Sequence, residues 1–73
     1  MNKTEILIEL GTKIRNIREA KGISQNELAH KTGKDQQSIQ RLEAGRINPS
    51  FFYLLEICKG LEIQLSQLFA DKF

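Results

Sequence analysis

The side chains with chemistry to offer in this sequence are amides and cations. Nucleophiles and metal ligands are scarce: there is one His and one Cys, too few for a structural zinc site, which usually takes four protein ligands, and too few for a disulfide within the chain. No Cys/His pair, phosphate-cradling glycine loop or metal cluster is arranged for catalysis, so no enzyme activity, metal or cofactor is expected. What stands out is Gln36-Gln37, with Gln40 and Arg41 one turn further on. A glutamine amide donates to and accepts from adenine N6 and N7 together, and an arginine matches guanine or holds a phosphate. Read locally, the same four residues also describe the solvated face of a short amphipathic helix. The spacing alone leaves both readings open.

The elements that must position these residues are helices. There is no Val or Trp and no alternating apolar run, so strand signals are nearly absent. Ile6 or Leu7, Leu10, Ile14 and Ile17 recur every three or four residues and predict a first helix from about Lys3 to Lys21, closed by Gly22. Gly11 interrupts that pattern and weakens it slightly. Ser24-Gln25-Asn26-Glu27 is a capping-box pattern that opens a helix over Gln25 to Thr32, with Gly33 as a left-handed cap. Asp35 caps a third helix, Gln36 to Ala44, ended by Gly45. Asn48-Pro49-Ser50 turns the chain into a fourth helix running to about Gly60, and a last short helix covers Leu65 to about Ala70. Two short helices joined by a tight turn at Gly33 describe a helix-turn-helix, over about residues 25–44. Ala29 is small where the second helix passes the third, Gly33 supplies a positive backbone angle, and Leu28, Ile39 and Leu42 hold both helices to the core.

Length and composition set the frame. The chain has 73 residues, 40% of them hydrophobic, which fits one domain over residues 1–73 with a single core. Eleven Lys and Arg against nine Asp and Glu leave a net charge of +2. That total is too mild to diagnose a nucleic-acid binder, so only the distribution of charge can. No apolar run approaches a membrane span and no signal peptide is visible, so the expectation is a soluble cytoplasmic domain without membrane contact.

The stretch from Gly11 to Phe69 resembles the Cro/phage-repressor, or XRE, family of helix-turn-helix domains. The resemblance lies in Ser24 to Ala29, in Gln36 to Glu43, in Gly45-Arg46 and in Asn48-Pro49-Ser50. The run Gln36-Gln37-Ser38-Ile39 looks especially like the recognition helix of certain lambdoid phage repressors. The resemblance implies an all-α, compact five-helix fold of lambda repressor-like type, with the third helix in the major groove of double-stranded DNA. Gln36, Gln37, Gln40 and Arg41 then become the base-reading candidates. Gln25 stands at a helix N-terminus whose free N–H groups suit a phosphate, and Arg46, Asn48 and Ser50 occupy a loop with which the family grips the DNA backbone. Lys34 and Ser38 are further phosphate candidates. The family pattern also pairs an Arg and a Glu at the positions of Arg18 and Glu43, a partly buried structural clamp. Two departures from the pattern stand out. Lys34 replaces a usual apolar residue and leaves that turn less anchored, and Asp35 sets a carboxylate near the DNA backbone.

The remaining residues take plainer roles. Cys58, with Leu54 and Leu61, belongs to the core stripe of the fourth helix, His30 to an exposed surface, and Phe51 to the core. Phe52, Tyr53, Phe69 and Phe73, together with Ile6-Leu7-Ile8, exceed what so small a core can hide and suggest a partner surface, most simply a second copy. The expectation is a sequence-specific transcriptional regulator acting as a homodimer on a palindromic operator. With no room for a ligand-sensing domain, no small-molecule ligand is expected. Within the class stand a prophage-like repressor, a restriction–modification controller and the antitoxin of a toxin–antitoxin pair. A protein-interaction adaptor that kept the fold without binding DNA is the reading from another class.

Overall fold

A computed structural model describes residues 1–69 and shows five helices, with no strand among the described residues. They are α1 (Lys3–Ala20), α2 (Gln25–Thr32), α3 (Gln36–Glu43), α4 (Phe51–Leu61) and α5 (Ser66–Phe69). None is long and apolar enough to cross a membrane. Ala70 and Phe73, which the sequence reading assigned to the last helix and to a surplus apolar surface, lie outside the described residues.

Each of the first four helices starts where a side chain accepts from one of its free N–H groups. Asn2 Oδ1 accepts from the Glu5 N–H at 2.8 Å, Ser24 Oγ from Glu27 at 3.0 Å, Asp35 Oδ1 from Ser38 at 2.7 Å and Ser50 Oγ from Tyr53 at 3.0 Å. Asn2 and Ser24 complete reciprocal capping boxes with Glu5 and Glu27. The Asn2 box was not anticipated from the sequence. Helix ends use left-handed glycines: after Gly33 (φ +68°) the Lys34 N–H reaches back to the Ala29 carbonyl at 2.9 Å, and after Gly45 (φ +74°) Arg46 reaches Arg41 at 2.9 Å.

Leu10 and Ile14 from α1, Leu28 and Ala29 from α2, Ile39 and Leu42 from α3, and Leu54, Ile57, Cys58 and Leu61 from α4 form one core, sealed by Leu68 of α5. In this core α3 packs on both α1 and α2, α4 packs chiefly on α2, and α5 returns to α1. Gly11 is where α1 meets α3: a Cβ there would overlap the backbone carbonyls of Leu42 and Glu43. The glycine that interrupts the helical pattern is therefore what lets α1 approach the end of α3.

Two expectations, for Phe51 and for the turn at Lys34, need correction. Phe51 is 65% exposed rather than in the core. It starts α4 one turn before Leu54, where the buried stripe ends, and its side chain points away from the core that Tyr53 of the same turn packs against. With Phe52 and Leu55 it forms an exposed apolar strip. α4 ends at Leu61, within a residue of the expected Gly60, and that glycine has a packing role. It is buried inside the helix against Thr32 and Leu28 of α2, where a Cβ would fall 2.6 Å from Thr32 Cγ2. The stop comes at Glu62, held at φ +58°. The turn at Lys34 is also anchored, by charge instead of apolar contact: Lys34 Nζ lies 2.8 Å from Glu56 Oε1.

Candidate nucleic-acid interface

The outer face of α3 carries Gln36, Gln37, Gln40 and Arg41, all exposed, while Ile39, Leu42 and Glu43 of the same helix are buried. This split follows from the 3.6-residue repeat: the apolar residues anchor one side, so the amides and the guanidinium must stand on the other. Gln37, Gln40 and Arg41 line one shallow depression with Ala44 and Arg46. A base-reading candidate and a phosphate candidate from the following loop are thereby neighbours. Gln36 faces a different depression, shared with Asn26, His30 and Asp35.

Behind this face lies a polar lock. Arg18 Nε donates to Glu43 Oε2 at 2.6 Å and Arg18 Nη2 to Glu43 Oε1 at 3.0 Å, a bidentate pair that ties α1 to the end of α3. Their side chains are only 9% and 3% exposed. Arg18 Nη1 also donates to the Ile23 carbonyl at 2.7 Å. The Glu43 hydrogen bonds raise the Arg18 pKa further despite the opposing effect of burial. Nothing in the sequence signalled a third member, Gln25, whose Nε2 donates to Glu43 Oε1 at 3.0 Å. Half of that amide's work is thus internal. What Gln25 leaves open to an anion is the backbone N–H groups of the α2 N-terminus rather than a free amide.

The other phosphate candidates divide. Arg46, Asn48 and Ser50 are exposed along the loop from α3 to α4. The Ser50 oxygen accepts the Tyr53 N–H, a role that does not use its hydroxyl proton. Ser38 is half-buried in the first turn of α3, with its N–H held by Asp35. Lys34 is not presented to solvent as a free cation: it pairs with Glu56 and stands 4.1 Å from the centre of the Tyr53 ring. Asp35 is fully exposed, and its hydrogen bonds from Ser38 hold its carboxyl below the usual aspartate range. The interface thus carries one fixed negative charge at the start of α3.

Comparison with known proteins places these features in a family. The profile of the Helix-turn-helix family matches residues 14–68. The control protein C.MunI of a Mycoplasma species is 35% identical over 68 residues, covering 92% of each chain. The restriction–modification controller protein C.AhdI of Aeromonas hydrophila superposes with a TM-score of 0.85 at 33% identity, over 88% of this chain and 97% of that one. The controller protein C.Esp1396I, solved as a tetramer in complex with its natural 35 base-pair operator, superposes with a TM-score of 0.81 at 33% identity, over 88% and 84% of the two chains.

Proposed function

The chain belongs to the helix-turn-helix family of DNA-binding transcriptional regulators, and from that premise we propose that it reads a palindromic operator as a homodimer, with α3 in the major groove. The observation that carries this reading is the division of α3. Its buried side is fixed to α1 and α2, and its free side offers Gln36, Gln37, Gln40 and Arg41 beside Arg46. Gln36 and Gln37 head the helix, the part that meets base edges when a recognition helix enters the groove. Arg46, Asn48, Ser50 and the α2 N-terminus at Gln25 grip the phosphates on either side and set the register. One such helix covers only a few base pairs. Two copies insert theirs into successive major grooves on one face of the duplex, roughly 34–36 Å apart.

Among regulators of this class, a restriction–modification controller is the narrower reading that fits best. Its support is the near full-length likeness to C.MunI and C.AhdI, which leaves little of either chain unmatched. Restriction and methyltransferase genes beside the gene for this chain are the expected genomic setting, and a locus without them favours a repressor or an antitoxin.

Selection of binding sites from random duplexes tests the proposal. The selected site should be palindromic and bound by two copies. With six to ten phosphate contacts, the log–log salt slope should be about −5 to −9. A selected duplex bound no better than random DNA at moderate salt would refute sequence-specific recognition.

A further inference from the structure

The short turn that aims α3 is tied down by an ammonium group. Lys34 sits between the left-handed Gly33 and the cap residue Asp35, two positions before the helix that carries the glutamines begins. Its Nζ donates to Glu56 Oε1 at 2.8 Å and lies 4.1 Å from the Tyr53 ring centre, within the range of a cation–π contact. The lysine side chain is only 14% exposed, so pair and ring shield it from solvent. Tyr53 comes from the first turn of α4. Its hydroxyl is buried with no hydrogen-bond partner of ordinary geometry among the described residues. Burial raises its pKa, against the lowering influence of Lys34 and the neighbouring Ser38 of α3. α4 packs chiefly on α2, and this cluster joins its first two turns to the residue that precedes the α3 cap.

We propose that Lys34, Glu56 and Tyr53 form a positioning brace that fixes the first turn of α3, and that Lys34 acts in recognition through this brace and not as a phosphate contact. The inference rests on the reading of α3 as the base-reading helix. A phosphate would have to compete with Glu56 and the ring for an ammonium on a side chain that is only 14% exposed, and any donor it drew from Glu56 would weaken the compensation of a carboxylate beside the DNA. Glutamine readout of adenine needs hydrogen-bond distances of about 2.7–3.2 Å, so a small shift of this turn costs specificity more than general affinity.

The two roles for Lys34 give opposite results for its acidic partner. Wild type, Lys34→Met, Glu56→Gln and the double variant Lys34→Leu/Glu56→Leu are titrated with the selected duplex and with an unrelated one across a range of salt. Amide hydrogen exchange of Ile39 and Gln40 is followed in the free proteins. The brace predicts that both single variants lose roughly five- to tenfold on the selected duplex and less than about twofold on unrelated DNA, with the salt slope unchanged. It also predicts faster exchange in both single variants, and recovery of binding and protection when two leucines restore an apolar contact. The proposal is overturned if Glu56→Gln tightens binding to both duplexes while Lys34→Met weakens both and flattens the slope by about one unit, the signature of a lost phosphate contact. Unchanged exchange of Ile39 and Gln40 in both single variants overturns it as well. Should the wild type prefer no duplex, it is the operator reading that fails, and the exchange rates alone then decide whether the brace exists.

Discussion

Arg18 and Glu43 are both buried, and each answers the other's charge. Removing one partner strands the other charge in the interior, so Glu43→Ala should cost about 3–5 kcal/mol. For a domain of this size that lowers the melting temperature by more than about 10 °C. The double variant Arg18→Met/Glu43→Leu removes both charges and should melt above either single variant, which thermal unfolding of all three checks. A melting temperature for Glu43→Ala within about 2 °C of the parent would mean that the pair contributes little in solution. The two residues stand 25 positions apart, and no local pattern links them. Only likeness to a family suggested that they meet, and even that did not suggest Gln25, whose amide turns inward to the same carboxylate. Long-range contacts between polar side chains leave no periodic trace in a sequence.

At the scale of the elements, intrinsic preference and packing can be set against each other. In an isolated helix, Gly11→Ala would be favourable by about 1 kcal/mol. Here the added methyl would meet the carbonyls of Leu42 and Glu43, backbone that cannot swing aside, so the expected net effect is a loss of about 1–3 kcal/mol, read by chemical denaturation. Asp35 gives a second test. The hydrogen bonds from Ser38 lower its pKa, so its folded value lies below its unfolded one. The stabilisation from this cap is therefore present at neutral pH and is lost as pH falls through the folded value, below about pH 4. Asp35→Asn should keep the melting temperature within about 2 °C at pH 7, soften the loss in acid, and bind DNA several-fold more tightly by removing a negative charge. Asp35→Ala should melt lower at neutral pH. Most of this architecture was legible: caps at Ser24, Asp35 and Ser50 and glycines at positions 22, 33 and 45 mark boundaries that the structure repeats within a residue. What was not legible needed the third dimension. Phe51 has core chemistry but is left 65% exposed, Gly60 serves the approach of α2 to α4, and Lys34 finds Glu56 only because the fold brings α4 to the turn.

At the scale of the whole molecule, the central question is whether two copies act together and what their α3 helices read. Phe69 and Leu65 are half-buried against the core, while Ile6 and Ile8 are 37% and 47% exposed. A two-fold interface uses one patch twice, so a single introduced charge repels its own copy. If α5 forms that interface, Phe69→Glu, checked for folding by circular dichroism, should sediment as a monomer and lose cooperative binding to a palindromic site, while Ile6→Glu remains a dimer. The reverse outcome moves the interface to the start of α1. The reading of α3 itself is tested most directly by comparing Gln37→Ala with Arg46→Ala on the selected duplex and on unrelated DNA, each across a salt series. Gln37→Ala should lose about 1–3 kcal/mol on the selected site and little elsewhere, with its salt slope intact. Arg46→Ala should weaken both duplexes about equally and flatten the slope by about one unit per half-site. If instead Gln37→Ala weakens both duplexes alike, or leaves both untouched, α3 does not read the bases.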